Sequence, residues 1–368
     1  MKTSKRKSLT WLLSVLALVA VVAPACGSDN NSSKAATGSR SSTTVAAEKP
    51  TCAPGTLAAA GSTFVKNIAQ QWIADYQTAC SGSTINYQSI GSGKGVQAFI
   101  DGTAQLAASD AVLKADEEAA ARTKGGEVVH IPWSAGGIAL EYHLAGVKNL
   151  KLTPDEVAGI WAGTITKWND SKLTADNPGL PDKPIQVVSR EDGSGTSKAF
   201  TAYMAAVAPT IWTKGSDKQP AWPVGQKATG SDGVTGLVKQ NDGSITYSEV
   251  SYAKGAGLDI AKVKNASGAF VEPTPDAVSA AIASATVPAD LKVAVDYKAA
   301  NPAAYPISTV TWAISFVHPR DPAVGQLIRD FILYAAGPGQ NAAAGLDYAP
   351  LPAELAAKAK AAALTIGA

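Results

Sequence analysis

A donor-rich turn, SREDGSGTS at residues 189–197, stands immediately before an apolar helical pattern. Its glycines allow the free N–H groups of a first helical turn to approach a ligand closely, and Arg190 adds a charged fork of donors. Two further Gly/Ser/Thr turns, at 61–64 and 91–95, also follow strand-like runs and open helical patterns. The sequence therefore predicts that three helix N-termini converge on one small oxyanion.

Short strand patterns and helical patterns alternate from residue 56 to residue 123. This alternation indicates an α/β fold. Two longer extended runs, at 128–142 and 305–312, are long enough to pass between two lobes. A chain that crosses twice builds one lobe from both of its ends and the other from its middle. We therefore expect lobe I to comprise 51–135 plus 305–368, and lobe II to comprise 136–304.

The first 25 residues have the pattern of a secretory signal peptide, in which a basic start precedes an apolar run from Leu9 to Val22. Small residues before Cys26 favour cleavage as a lipoprotein with lipid, such as palmitate, on Cys26, and plain secretion with another cleavage point is the alternative. Residues 26–50 are polar and lack apolar periodicity, which is typical of a disordered tether. We expect an extracytoplasmic protein anchored to the cell membrane.

The 368-residue chain has a formal net charge of +2. Removal of residues 1–25 deletes four basic and no acidic residues and leaves −2, so nucleic acid is not expected as a partner. Cys52 and Cys80 can pair in an oxidising compartment, and two free buried thiols are the alternative. The three histidines are scattered. Neither a metal nor another cofactor is expected, because no metal-ligand spacing is present.

Five motifs carry a resemblance to a known family. They are AGSTF at 60–64, YQSIGSG at 87–93, ASDA at 108–111, REDGSGTS at 190–197 and LDYAPLP at 346–352. In this order the chain resembles, over nearly all of its folded body, the phosphate-binding protein of the bacterial phosphate-specific ABC transporter. The resemblance implies a two-lobed periplasmic-binding-protein fold of type II, with a mixed sheet flanked by helices in each lobe and a two-strand hinge.

The resemblance also implies which residues of the first lobe bind phosphate. Thr63 would donate its hydroxyl and Phe64 its backbone N–H, and Ser92 would contribute in the same way from the second turn. Asp110 would accept a hydrogen bond from the protonated phosphate. Fully deprotonated sulfate offers no such proton, and a site built around a required donor can reject an analogue without it by roughly 10⁴ to 10⁵.

From the second lobe, the resemblance implies that Arg190 makes the charged contact and that Asp192 holds Arg190 in place. The second turn departs from the family pattern, because Gly93-Lys94-Gly95 stands where Ser-Gly-Gly is usual. Lys94 is expected either to face solvent or to add positive potential at the mouth of the site. The remaining contacts from this lobe would come from Ser194, Gly195 and Thr196.

These roles predict a monomeric binding protein that captures inorganic phosphate between its lobes and delivers it to an ABC permease, without performing chemistry. A protein for another tetrahedral oxyanion is one alternative. Another is a secreted phosphatase or serine hydrolase with Ser194 or Ser92 as nucleophile, which would need His130 or His143 nearby in space. Neither serine lies in a Gly-x-Ser-x-Gly motif.

The GSGKG run at 91–95 lacks the spacing of a nucleotide-binding loop. Two structural interpretations also stand beside the functional ones. The first is that each Ser/Gly/Thr turn, taken alone, could be a simple helix N-cap. Four tryptophans are expected in packed core or at the lobe edges rather than in a sugar platform, namely Trp133, Trp161, Trp168 and Trp222.

Overall fold

The computed structural model describes residues 50–368. The predicted signal peptide, the predicted lipidation at Cys26 and nearly all of the predicted tether lie outside this range. Among the described residues, no helix has both the length and the apolar character needed to cross a membrane.

Strands and helices alternate along the described chain, as the sequence predicts. The strands are β1 (Gly55–Gly61), β2 (Ser83–Ser89), β3 (Leu106–Ser109), β4 (Val128–His143), β5 (Lys151–Leu152), β6 (Gln186–Arg190), β7 (Gln226–Ala228), β8 (Ser244–Glu249), β9 (Asp259–Ile260), β10 (Lys262–Lys264), β11 (Phe270–Val271) and β12 (Ser308–Phe316). The helices are α1 (Lys66–Ala79), α2 (Ser92–Asp101), α3 (Ala115–Gly125), α4 (Pro154–Ala162), α5 (Ser171–Asp176), α6 (Gly195–Val207), α7 (Gly230–Gln240), α8 (Val250–Ala256), α9 (Pro275–Ile282), α10 (Pro322–Ala335) and α11 (Ala353–Ala363), with 3-10 helices at Pro338–Ala342 and Ala344–Leu346.

One nine-stranded sheet organises these elements in the order β2-β1-β3-β12-β4-β8-β6-β7, with β9 paired to β4. Strands β1, β2 and β3 run parallel, and β6 runs parallel to both β7 and β8. Strand β12 runs antiparallel to β3 and β4. A second, three-stranded sheet has the order β11-β10-β5. The predicted α/β class is therefore confirmed.

Strand β4 continues through both halves of the large sheet. It pairs with β12 as far as Gly137 and with β8 from Ile138 onward. Its residues from His130 to Tyr142 are all buried. This strand matches the long extended run predicted at 128–142. The second predicted run is also a strand, although β12 begins at Ser308 and extends to Phe316.

The predicted strand-turn-helix units are present, with shifted helix starts. Helix α1 begins at Lys66, two residues after Phe64. Helix α2 begins at Ser92, inside the glycine run rather than after it, because Gly91 as N-cap adopts φ 90° and turns the chain sharply from β2. Since β1 and β2 are parallel, both helices start at the same edge of the sheet.

A disulfide joins Cys52 to Cys80, whose Cα atoms lie 5.2 Å apart. It links the segment before β1 to the residue that ends α1, as the sequence predicts, and excludes the alternative of two free thiols. The four tryptophans expected in the core are all buried. Trp222 also donates through Nε1 to the Arg190 carbonyl at 3.0 Å, so core packing supports the end of β6.

Candidate oxyanion-binding site

The three predicted turns meet at the carboxyl edge of the sheet. A Cβ atom placed on Gly95 would lie 2.2 Å from the Gly61 Cα atom, so the first and second turns touch through backbone. A Cβ atom on Gly195 would lie 2.6 Å from Ser92 Oγ, which brings the third turn against the second. No side chain fits at either contact. Glycine is required here because the three helix starts approach one another directly.

Arg190 is the last residue of β6 and is only 2% exposed. Its Nε and Nη2 atoms donate to the two carboxylate oxygens of Asp192 at 2.7 and 2.5 Å. Its Nη1 atom donates to Thr63 Oγ1 at 3.1 Å. Asp192 Oδ1 also accepts the Gly230 N–H at 3.0 Å. Burial acts to raise the pKa of Asp192, but the hydrogen bonds and charge of Arg190 hold that pKa below its usual value.

Asp110 follows β3 and is 3% exposed. Its Oδ1 atom accepts hydroxyl donors from Ser62 at 2.5 Å and Thr311 at 2.9 Å, and its Oδ2 atom accepts Thr196 at 3.0 Å. Burial raises the pKa of Asp110, although these three bonds and the charge of Arg190 act to lower it. An ionised carboxylate offers about four lone-pair positions. Asp110 therefore retains capacity for one more donor.

The side chain of Thr63 joins the first turn to Arg190 and to the start of α7. Thr63 Oγ1 lies 2.8 Å from Ser231 Oγ and accepts the Ser231 N–H at 3.3 Å. The neighbouring Phe64 N–H donates to Ser62 Oγ at 3.0 Å. The second turn contributes Ser92, whose Oγ accepts the Asp110 N–H at 3.3 Å. These contacts connect the predicted residues of the first two turns with Arg190 and Asp110.

The start of α6 supplies the residues of the third turn. Ser194 is the N-cap, and its Oγ accepts the Ser197 N–H at 3.1 Å. The N–H groups of Gly195 and Thr196 donate no hydrogen bond to any described residue, although both residues are buried. A buried N–H without an acceptor is costly, so these two groups are suited to an anionic ligand.

Comparison with known proteins identifies the group to which this chain is related. The family described as PBP superfamily domain matches residues 39–338. The phosphate-binding protein PstS3 of Mycobacterium bovis is 36% identical over 350 residues, which cover 92% of this chain and 94% of that protein. The phosphate-binding protein PstS of Pasteurella multocida is 35% identical over 313 residues, covering 83% and 89%. The chain belongs to the PstS phosphate-binding protein family.

A solved structure with the same fold extends the comparison. It is the structure of a high affinity periplasmic phosphate-binding protein bound with phosphate, and it matches this PstS-family chain with a TM-score of 0.69 and 24% identity. The match covers 83% of this chain and 93% of that one. The predicted type II periplasmic-binding-protein fold is therefore confirmed.

Four residues of the site were missed by reasoning from sequence. Ser62 and Thr311 hydrogen-bond to Asp110, Ser231 to Thr63, and Gly230 to Asp192. Ser62 lies inside the AGSTF motif at 60–64, in which the sequence predicted roles only for Thr63 and Phe64. Gly230-Ser231 follows β7 and opens α7, so it repeats the Gly/Ser turn pattern and could have been found. No comparable local signal marks Thr311, a threonine within β12.

Lys94 and His130, which were also considered from the sequence, have other surroundings. Lys94 is exposed, which agrees with the expectation that it faces solvent. His130 accepts the Leu113 N–H through Nε2 at 3.2 Å, and burial lowers the pKa of His130 to about 4. In residues 50–368, no hydrogen bond joins a histidine to Ser92 or Ser194. Nor does that range contain three clustered side chains suited to a metal ion.

Proposed function

We propose that this PstS-family chain captures inorganic phosphate at the meeting point of the three turns and passes it to the permease of an ABC importer. One observation carries the proposal: the buried carboxylate of Asp110, with capacity for one more donor, lies beside Arg190 and beside N–H groups that have no acceptor among residues 50–368. This combination suits an anion that carries its own proton. The phosphate-binding names of the PstS relatives support the same ligand.

Asp110 is the selective element of the proposed site. With three hydroxyls already bound, its remaining lone pair accepts the proton of hydrogen phosphate or dihydrogen phosphate. Sulfate has no proton to donate, so one of its oxygen atoms would face the carboxylate oxygen without a hydrogen bond between them. The proposed site contains one basic side chain, Arg190, and two acidic ones, Asp110 and Asp192. Affinity therefore depends on oriented hydrogen-bond donors rather than on an excess of positive charge.

The other predicted residues supply donors in this proposal. Arg190 makes the charged contact, oriented by Asp192. Thr63 contributes its hydroxyl, and the backbone contacts come from the helix starts. The residues assigned to these remaining contacts are Ser92, Ser194, Gly195 and Thr196. The Phe64 N–H, predicted as a further contact, acts in this proposal through Ser62 Oγ, to which it donates.

We also propose that residues 51–135 plus 305–368 and residues 136–304 act as two lobes that close on the ligand. The change of partner along β4, between Gly137 and Ile138, supports a hinge there. Cross-lobe ion pairs at Glu117–Lys218 (2.5 Å) and Lys114–Asp217 (2.9 Å) would stabilise the closed form that a permease recognises. Small-angle X-ray scattering tests this: phosphate should reduce the radius of gyration, and an unchanged radius would contradict closure.

Anchoring through lipid on Cys26 is the proposed route to the membrane, with the folded body extracytoplasmic and monomeric. The Cys52–Cys80 disulfide supports export, because such bonds persist in oxidising compartments. Labelling cells with radioactive palmitate tests the anchor. The parent should carry label and Cys26→Ser should not; label on both proteins would refute the assignment.

Binding without chemistry is the proposed activity. In the part of the chain that the structure describes, neither Ser92 nor Ser194 is hydrogen-bonded to the histidine that a hydrolase would need. Phosphate uptake by cells that lack this protein provides the test. The parent gene should restore uptake, and Arg190→Ala should fail to restore it at low phosphate. Full restoration by Arg190→Ala would contradict the proposed site.

A further inference from the structure

Three tyrosine hydroxyls donate to three consecutive carbonyls of the turn that follows β1. The tyrosines come from β2, from α8 and from the segment after the second 3-10 helix, so remote parts of the chain meet at one turn. The three hydrogen bonds are Tyr87 Oη to Ser62 O at 2.6 Å, Tyr252 Oη to Thr63 O at 2.5 Å and Tyr348 Oη to Phe64 O at 2.5 Å.

Each of these carbonyls belongs to the same planar trans peptide group as the N–H of the next residue, and the two bonds point in opposite directions. A tyrosine that fixes the C=O therefore fixes the direction of an N–H, here those of Thr63, Phe64 and Val65. The Phe64 N–H points to Ser62 Oγ, the hydroxyl that donates to Asp110. The N–H groups of Thr63 and Val65 have no acceptor within the described part of the chain, although both residues are buried.

The tyrosines are suited to this task because they remain donors. Burial raises the pKa of Tyr87, Tyr252 and Tyr348 above the usual value, so each hydroxyl keeps its proton at neutral pH. Donation to a carbonyl also polarises the whole amide group, which makes its N–H a stronger donor. A buried anion with little water around it benefits from both effects.

We propose that Tyr87, Tyr252 and Tyr348 are positioning residues of the phosphate site, which hold the first turn so that the N–H groups of Thr63 and Val65 face the anion and that of Phe64 supports Ser62 Oγ. This inference rests on the proposed phosphate-binding function. Tyr252 lies within the proposed lobe II, whereas Thr63 lies within the proposed lobe I. Its hydrogen bond therefore joins the two proposed lobes and ties the orientation of the Phe64 N–H to their closure.

Replacement of each tyrosine by phenylalanine tests the proposal, because the ring is kept and only one hydroxyl is lost. We expect Tyr87→Phe, Tyr252→Phe and Tyr348→Phe each to weaken phosphate binding about fivefold to tenfold, the loss typical of one net hydrogen bond. Tyr76→Phe is the matched control. The Tyr76 hydroxyl also donates to a backbone carbonyl, that of Thr51 at 3.1 Å, near the other end of α1. This control should change affinity by less than about twofold.

Amide proton shifts separate positioning from a general loss of stability. Phosphate should shift the amide protons of Thr63 and Val65 downfield in the parent. Tyr87→Phe should reduce the Thr63 shift and Tyr348→Phe the Val65 shift, because each variant releases the carbonyl of that amide group. Tyr252→Phe should instead alter the resonance of the Phe64 amide proton, which donates to Ser62 Oγ. The proposal is overturned if the variants melt earlier but keep the parent's affinity and shifts. If the parent itself does not bind phosphate, the proposed function fails. If the parent binds phosphate and the tyrosine variants bind it with the same affinity and amide shifts, only the positioning role is refuted.

Discussion

Arg190 and Asp192 form a two-pronged ion pair in which both side chains are at most 3% exposed. The pair fixes the guanidinium so that its third nitrogen reaches Thr63 Oγ1 at 3.1 Å. An arginine held in this way pays little entropy when it binds an anion, because its rotamer is already set. Arg190, the charged donor of the proposed site, is therefore oriented before the ligand arrives.

Arg190→Ala removes this charged donor and leaves Asp192 buried without its partner. We expect phosphate affinity to fall by about a hundredfold or more, the loss typical of charged hydrogen bonds, and the melting temperature to fall as well. Thr164→Ala, at an exposed position after α4, is the control and should bind like the parent. Parent-like affinity in Arg190→Ala, measured by calorimetry, would remove Arg190 from the site.

Asp110→Asn tests the origin of selectivity. The amide keeps one acceptor oxygen but adds two N–H donors, so it no longer requires a proton from the ligand. We expect weaker phosphate binding, and sulfate binding that becomes measurable, so that the ratio of the two affinities narrows by at least about tenfold. Competition by sulfate against labelled phosphate gives this ratio. If the ratio stays at the parent value, discrimination arises elsewhere.

The local parts of the site could be predicted from the sequence because short motifs determine them. Glycine beside Ser or Thr before a helix marks a helix start that can face an anion, and this pattern located the turns that carry Thr63, Ser92 and Arg190. The disulfide was predictable as well, since Cys52 and Cys80 flank one strand-helix unit. Each of these features depends on residues that are close in sequence or few in number.

The site contacts that could not be predicted from the sequence depend on elements that are distant along the chain. Thr311 reaches Asp110 only because β12 pairs with β3 in a register that sets Trp312 opposite Ser109. Tyr252 reaches the first turn because α8 packs beside it, 189 residues away along the chain. Sequence periodicity predicts burial for such residues but not their partners, so these polar contacts require the tertiary structure.

The raised pKa of the buried Glu249 carboxyl leads us to expect that the stability of the fold depends on pH. Glu249 is fully buried at the end of β8, and burial raises its pKa to about 8, although bonds from Ser251 act to lower it. The folded protein therefore holds a proton that the unfolded chain, with an ordinary carboxyl pKa of 4.5, releases. The stabilisation is complete below pH 4.5 and is lost as the pH rises through about 8.

We accordingly expect the melting temperature of the ligand-free protein to fall as the pH rises from about 5 to about 8, the interval between the unfolded and the folded pKa of Glu249. Glu249→Gln, which resembles the protonated carboxyl, should flatten this fall and should melt above the parent at the alkaline end. Calorimetric scans at a series of pH values provide the measurement. A parent and a variant with the same pH slope would show that Glu249 does not titrate in this range.

The Cys52–Cys80 disulfide is expected to stabilise the fold without affecting the ligand. It closes a loop over a sequence separation of 28 residues, for which the chain-entropy estimate is roughly 3 to 4 kcal/mol. Replacing both cysteines by serine should lower the unfolding free energy in urea by about that amount and leave phosphate affinity within about twofold. A large loss of affinity in the folded variant would mean that the bridge also shapes the turn that begins α1.

The most direct measurement is calorimetric titration of the purified protein, stripped of carried-over ligand by unfolding and refolding, with phosphate and separately with sulfate near pH 7. Selective capture of phosphate predicts a dissociation constant that is micromolar or tighter, about −8 kcal/mol or better, and no heat with sulfate. The absence of binding heat with phosphate would contradict the function proposed for this site. Equal binding of the two anions would contradict the role assigned to Asp110.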